Sequence, residues 1–388
     1  MRRLPALLAV LAAAVLTACA TTPPPRPPAP RPAPRPAPPP RPATAPAPRP
    51  PERPLAWEDL PGWRGEDHLQ ALKAVVAACR VSRDPDMAGA CARLDRRPPR
   101  DSAAARAFIE ENFQPRSLGE LGLLTAYFAP SYEAREAPEG PFVAPVRPKP
   151  AALDLLLAAA LADPPPGPDT DPPSSTEPLL PDRAAIESMP ADDALAWMRP
   201  EDLFFLQLQG SGVLVLPDGR RLKAAFAGSN GRPFVGIARV MRDQGQIDDA
   251  HSSGDAIRAW LSDHRGPEAD AVMRANPRYA FFTLRPDDGR EPAGAAGVPL
   301  PPGRGLAVDP SRHAMGELFW IDASAPALSG AFPVYRRLGA ALDTGAAIKG
   351  EVRADLYVGS GDTAGREAGR VRHVLRMYRL VPVPADPR

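Results

Sequence analysis

Hydrophobic positions follow a helical period first and a strand period afterwards. Between 66 and 114, Leu69, Leu72, Val75 and Val76, then Phe108, Ile109 and Phe113, recur at intervals that predict helices. From 123 to 134 the run LLTAYFAPSYEA, rich in aromatic and apolar residues, predicts a strand, with further extended sequence at 142 to 148. The segment 203 to 228, LFFLQLQGSGVLVLPDGRRLKAAFAG, reads as strand, glycine break, strand, turn at Pro217-Asp218-Gly219, and strand. Two helices are expected near 233 to 244 and 254 to 264, then a strand at 278 to 285. Further strands are expected near 305 to 309, 317 to 322, 336 to 342, 352 to 358 and 374 to 382. Mostly β structure with few helices points to barrels.

Within this strand-rich end, aspartate recurs in unlike settings: GLAVDP at 305 to 310, LDTGAAIKG at 342 to 350 and VRADLYVGSGDTAG at 352 to 365. Aspartate and glycine both weaken strands, so a β segment that carries them repeatedly is shaping a site as well as a core. In 351 to 358, Val352, Ala354, Leu356 and Val358 share one face, and Glu351, Arg353, Asp355 and Tyr357 share the other. Asp355 therefore faces either a groove or solvent, and in the second case it is an exposed carboxylate beside Arg353.

The start of the chain sets its compartment. Arg2 and Arg3 precede an apolar run from Leu4 to Val15, a signal peptide too short to span a bilayer. It ends in Leu16-Thr17-Ala18-Cys19, which resembles a bacterial lipobox; processing would leave Cys19 as a lipid-bearing N-terminus, and Ala20 fits outer-membrane sorting. Residues 1–19 are thus the lipoprotein signal, and 20–55 are almost entirely Pro, Ala and Arg. Such composition cannot bury a core and predicts a stiff tether reaching on the order of 100 Å at ~3.1 Å per residue. A second low-complexity piece at 163–178 reads as a disordered surface loop.

Roughly 300 residues remain, enough for two modest domains or one elaborated one. A formal net charge of +1 gives no global signal for nucleic acid. Cys79 and Cys91, the other cysteines, either close a short loop in an oxidising periplasm or stay as two buried thiols. Histidines at 68, 251, 264, 313 and 373 show no metal-ligand spacing, so neither a metal nor a cofactor is expected.

Eight segments, in order, resemble one family, the membrane-bound lytic murein transglycosylase A family with its C-terminal 3D domain. They are LTAYFAP at 124, RAAIE at 183, FFLQLQGSG at 204, AGSNGRPFVGIARVMRDQG at 227, AIRAWL at 256, NPRYAFF at 276, LAVDP at 306 and DTGAAIKGEVRADLYVGSGDTAGREAG at 343. The resemblance spans nearly all of the chain beyond the tether. It implies a mainly β fold: a double-psi β-barrel domain at 56–130 and 289–388, with a second β-barrel domain inserted at 131–288, a few helices, and the glycan groove between the domains. The three aspartates of the 3D domain match Asp309, Asp343 and Asp355, and the last of them matches the catalytic acid.

The implied reaction is lytic cleavage of the β-1,4 bond between N-acetylmuramic acid and N-acetylglucosamine in peptidoglycan, leaving 1,6-anhydromuramic ends. Such an enzyme is an exo-acting carbon–oxygen lyase by its usual class, although the sequence leaves endo against exo cutting open. One carboxyl suffices, because the attacking 6-hydroxyl is already part of the sugar. Asp355 would first donate its proton and then accept one, with a pKa raised by burial and by Asp343 or Asp309. Thr125 and Tyr127 serve either sugar contact or strand packing, Gln209, Gly210, Ser211 and Gly212 are assigned to groove lining, and Asn230 with Gly231 is either a substrate contact or a turn. Implied partners are peptidoglycan glycan strands, the outer membrane through the lipid anchor, and cell-wall synthesis or division proteins.

Ala126 and Phe128 stand where the family usually has glycine and tyrosine, and Ala346 where a second glycine is common, which bears on substrate contacts more than on the acid. Two other readings are weighed. Asp343-Thr344-Gly345 resembles half of an aspartic protease site, which needs two such aspartates. A non-catalytic peptidoglycan-binding lipoprotein would keep the groove without the chemistry.

Overall fold

The computed structural model describes residues 53–151, 181–248, 253–325 and 332–384, all within the unit Arg49–Arg388. The signal peptide, all but the last three residues of the tether and the loop at 163–178 lie outside the described residues.

Three N-terminal helices form where the apolar period predicts them: α1 (His68–Cys79), α2 (Pro85–Arg96) and α3 (Ser102–Asn112). Each begins with an aspartate, Asp67, Asp84 or Asp101, whose side chain accepts a backbone N–H of the first turn. Cys79 at the end of α1 and Cys91 in α2 are joined by a disulfide that closes the intervening turn.

The strands that follow build a closed ring. β3 (Gly122–Ala129), β13 (Arg353–Ser360), β10 (Gly305–Val308), β12 (Val334–Thr344), β11 (Leu318–Ser324) and β14 (Arg372–Pro382) neighbour one another in that order, and β14 pairs back onto β3. Two pairs, β13 with β3 and β10 with β12, are parallel; the other four are antiparallel. Beyond its contact with β3, β14 carries β2 (Phe113–Ser117), which in turn carries β1 (Arg53–Pro54). The chain is therefore already in the sheet at Arg53, inside the segment expected to be tether.

Strand alternation sorts two cores. Phe319, Ile321 and Ala323 of β11 join Leu124, Leu306, Leu356 and Met377 in a cluster to which all six ring strands contribute, so it fills the barrel. Leu318 and Trp320, one residue out of phase, pack outward on Trp63, Val75 and Ile109 of the N-terminal helical layer.

Residues between β3 and β10 form smaller sheets and a helical cluster. β4 (Ser131–Glu133), β7 (Ser211–Val215), β8 (Arg221–Ser229) and β9 (Ala280–Pro286) make a four-stranded sheet, and β5 (Ala144–Val146) pairs with β6 (Ala196–Met198). Among the described residues this four-stranded sheet is open, where a second barrel was expected. Its apolar face is closed by a helix instead, with Leu203 and Leu206 packing on Leu214, Ala224 and Phe282.

The covering helix corrects the sequence reading of 203 to 209 as a strand: Pro200–Gln209 is α5, after the short α4 (Arg183–Glu187). Periodicity cannot separate a short apolar run of helix from one of strand, and the end signals decide here. Pro200 opens the helix, Glu201 and Asp202 sit in its first turn, and Gly210 ends it at φ +80°. Glu201 and Asp202 are buried, and their charges are met by Arg265 and Arg258. The two expected helices are α6 (Ile237–Asp243) and α7 (Gly254–Asp263); α8 (Pro267–Arg274) and α9 (Gly361–Ala368) were not anticipated. With nine α-helices among the described residues, the fold is a mixed α/β one around a closed six-stranded barrel, richer in helix than the sequence reading expected.

Candidate active site

Three neighbouring ring strands present two carboxylates on one row. Ala307 of β10 is in register with Asp343 of β12 on one side and Asp355 of β13 on the other. At ~4.8 Å between strands, the two aspartate backbones stand about 10 Å apart across Ala307. Both side chains line a groove with a cavity volume of about 680 Å³.

Asp355 is held from β3. Parallel pairing sets it opposite Thr125, whose hydroxyl donates to Asp355 Oδ1 at 2.5 Å while accepting from Arg353 Nη2 at 2.9 Å. Burial raises the Asp355 carboxyl above the ordinary aspartate range and the negative Asp343 adds to this, against the Thr125 hydrogen bond and the Arg353 charge. A carboxyl in that balance retains its proton to higher pH than a solvent-exposed aspartate does.

Asp343 is tied down more fully. Its Oδ2 accepts the Tyr127 hydroxyl at 2.6 Å, and its Oδ1 accepts the backbone amides of Ala295 at 2.8 Å and Thr344 at 2.9 Å. Burial also raises this carboxyl, opposed by those three donors. The segment supplying Ala295 needs glycine before it, since a Cβ on Gly294 would lie 2.4 Å from the Leu342 carbonyl and 3.1 Å from Asp343 Cβ. With both oxygens engaged and Asp355 two strands away, Asp343 lacks the proton-sharing partner a protease dyad requires.

Other candidate residues divide. Gln209, Gly210 and Ser211, at the end of α5 and the start of β7, line the groove with the carboxylates, whereas Gly212 is buried against Leu206 and the Pro130 carbonyl and does not; Gln209 Oε1 also accepts the Phe128 amide at 3.3 Å. Thr125 and Tyr127 direct their hydroxyls to Asp355 and Asp343, so they position carboxylates where sugar contact was considered. Asn230 is buried away from the groove lining, donates to the carbonyls of Pro181 and Pro277, and accepts the amides of Arg232 and Tyr279. It stitches the 181, 230 and 277 segments together, which corrects its assignment to substrate binding.

Asp309 also departs from expectation. It does not line the groove: Oδ1 accepts the amide and hydroxyl of Ser311, and Oδ2 accepts the Gly350 amide at 2.8 Å. Burial pushes its carboxyl up, but the Gly350 and Ser311 hydrogen bonds outweigh that and hold it below the usual range. It fixes the turn entering β13 and contributes nothing to the pKa of Asp355.

The sequence reading missed several groove residues. Phe226 and Phe234 line it and stay 49% and 38% exposed, an arrangement that offers flat apolar faces to a ligand. Arg183, Lys223, Arg278 and Arg285 also line it. Phe226 shares the strand parity of the core residues Leu222 and Ala224 in β8, so no local alternation marks it as a groove residue. A larger cavity of about 1100 Å³, beside the α1–α2 turn, shares only Ala295 with the groove and has none of the three aspartates in its lining.

Comparison with known proteins decides the family. Residues 123–283 match the model described as the MltA specific insert domain, and residues 304–381 match the 3D domain. This chain belongs to the membrane-bound lytic murein transglycosylase A family. The crystal structure of a membrane-bound lytic murein transglycosylase from Agrobacterium tumefaciens is 31% identical and superposes with a TM-score of 0.71, covering 85% of this chain and 97% of that one. Lytic transglycosylase LtgG of Burkholderia pseudomallei is 32% identical at a TM-score of 0.57, covering 87% of this chain and 96% of that one. Among curated sequences, membrane-bound lytic murein transglycosylase A of Escherichia coli K12 is 33% identical over 214 residues, 53% of this chain. The match spans 57% of that relative's length, so the chain aligns with little more than half of it. Within the family frame, the VRADLY segment carrying Asp355 falls in the 3D domain, and the Gln209–Ser211 turn and the two exposed phenylalanines fall in the insert domain match.

Proposed function

We propose that this protein is a peptidoglycan lytic transglycosylase in which Asp355 acts first as general acid and then as general base. The observation that carries the proposal is that, of two buried groove carboxyls with raised pKa values, Asp343 has both oxygens bound by three donors while Asp355 is held through one oxygen by Thr125 alone. Asp355 donates its proton to the glycosidic oxygen between N-acetylmuramic acid and N-acetylglucosamine as the bond to the muramyl C1 breaks. The 6-hydroxyl of the same muramyl residue then attacks C1, and its proton passes to Asp355, which restores the acid and leaves a 1,6-anhydro end. Intramolecular attack makes a second, water-activating carboxylate unnecessary. Asp343 lends negative charge that keeps Asp355 protonated, and Phe226 and Phe234 offer stacking faces to the sugars.

Family resemblance supports further parts of the proposal. The six-stranded ring is assigned as a double-psi barrel made from 56–130 and 289–388, a reading supported by its two parallel pairs, with 131–288 as the inserted domain. Cys19 is assigned as the lipidated N-terminus that holds the enzyme at the periplasmic face of the outer membrane, where it meets murein and cell-wall synthesis or division proteins. Among the described residues no helix is long and apolar enough to cross a membrane.

The test is mass spectrometry of murein sacculi digested with the purified full chain and with Asp355→Asn. Release of 1,6-anhydromuropeptides by the parent alone is the expected result, with the variant at least about a hundredfold slower. Retention on sacculi without new anhydro ends from either protein would favour the non-catalytic binding lipoprotein.

A further inference from the structure

The cations of the groove are unequally matched with counter-charges. Arg183 pairs with Glu187 at 3.3 Å, and Lys223 is bonded to Asp288. Arg278 and Arg285, which line the same groove as Asp355, form no ion pair among the described residues. Arg278 is the more telling of the two. Its side chain is partly buried, and among the described residues its one hydrogen bond is a 3.3 Å contact from Nη1 to the Arg232 carbonyl. Burial alone lowers the tendency of this guanidinium to hold its charge, with no carboxylate acting against it.

Taking a guanidinium out of water without an anion is unfavourable, and a neutral sugar chain would not relieve it. A carboxylate entering the groove would, through the paired donors of the guanidinium fork. We infer that Arg278 forms a carboxylate subsite that selects muramyl-containing glycan over neutral amino-sugar chains. The inference rests on the proposed murein substrate and adds which chemical group of it is read. Two sources supply that group: the lactyl carboxylate of muramic acid in peptide-free strands, and the carboxylates of the stem peptide where one is attached. Phe226 and Phe234, exposed in the same groove, would hold the sugar rings while Arg278 reads the charged substituent. Arg278 follows Asn276 and Pro277 and precedes the buried Tyr279, so its backbone is fixed by the Asn276 side chain accepting the Arg278 amide.

The experiment uses the full chain in detergent and three glycan probes: peptide-free murein strands with free lactyl carboxylates, the same strands with those carboxyls converted to methylamides, and strands that keep their stem peptides. Binding is measured by co-sedimentation or calorimetry, and cleavage by anhydro-product yield, for the parent, Arg278→Gln, Arg278→Lys and Arg285→Gln. The parent should bind free-carboxylate strands about tenfold or more tighter than amidated ones. Arg278→Gln should lose that difference through KM with kcat little changed, and Arg278→Lys should recover part of it. If only peptide-bearing strands show the difference, the stem is the source; if peptide-free strands show it, the lactyl group is. Equal binding of free and amidated strands by the parent, with peptide-bearing strands bound equally well by the parent and all variants, would overturn the subsite. Parent binding to amidated strands needs no variant to fold, and it separates the two proposals: absence of anhydro products with carboxylate-dependent binding would sink the reaction and leave the subsite standing.

Discussion

Asp355 illustrates how one side chain takes its chemistry from three neighbours. Burial and Asp343 push its carboxyl up, while Thr125 and Arg353 hold it down. The sign of the pH dependence follows. Under the proposed mechanism the proton-donating form is lost as pH rises through the raised pKa, so the alkaline limb of kcat/KM should report Asp355. Thr125→Val removes a hydrogen bond that favours the ionised form, and a pH–rate profile should show that limb shifted upward, with a lower maximal rate from looser positioning. Stability responds through the same group. A carboxyl whose folded pKa exceeds its unfolded value contributes stability that is full below the unfolded pKa and lost as pH rises through the folded one. Asp355→Asn should therefore be more stable than the parent at neutral pH by about 1 kcal/mol, measurable by denaturant unfolding, and this gain should vanish in acid.

Among the elements, the segment before β10 and the α1–α2 pair do separable jobs. Gly294 lets Ala295 reach Asp343; Gly294→Ala would drive a methyl into the Leu342 carbonyl and Leu300. The expected outcome is a drop of tenfold or more in kcat, from a displaced donor worth about 1.5–3 kcal/mol to a charged acceptor, with folding retained by circular dichroism. The Cys79–Cys91 link closes a loop with a sequence separation of 12 and contributes roughly 3 kcal/mol by limiting the unfolded chain. Cys79→Ser with Cys91→Ser should lower the unfolding free energy from denaturant titration by about that amount, and should leave kcat nearly unchanged where the fold is intact, because neither cysteine lines the groove.

For the whole molecule, the barrel brings together residues more than two hundred positions apart: Thr125 meets Asp355, and Tyr127 meets Asp343. The groove adds Gln209 and Phe226 from the segments between β3 and β10. The proposed lipid anchor belongs to this scale too. Cys19→Ser should move the protein from the membrane fraction to the soluble periplasmic fraction, as read by fractionation and by the mass of the acylated N-terminus, while the activity of the purified protein on sacculi stays unchanged.

Several features were legible in sequence because their cause is local. Apolar period placed α1 and α3, strand alternation placed the five C-terminal strands of the barrel, and alternation in 351 to 358 set Asp355 on the face that turns to the groove. Motif order identified the family. The helix Pro200–Gln209 escaped because a buried apolar run has no visible period, and only its end signals distinguish helix from strand. Tertiary structure alone decided which aspartates work together. Asp309 and Asp343 are equally plausible neighbours of Asp355 in sequence, but strand pairing sets Asp343 on the same row across Ala307 and commits Asp309 to the Gly350 turn. Likewise, no local pattern tells which arginines lack a counter-charge, because charge pairing depends on segments that meet only in the fold. Sequence determined the elements and the kind of chemistry; long-range pairing and burial determined which carboxyls share the groove and what lies around each of them.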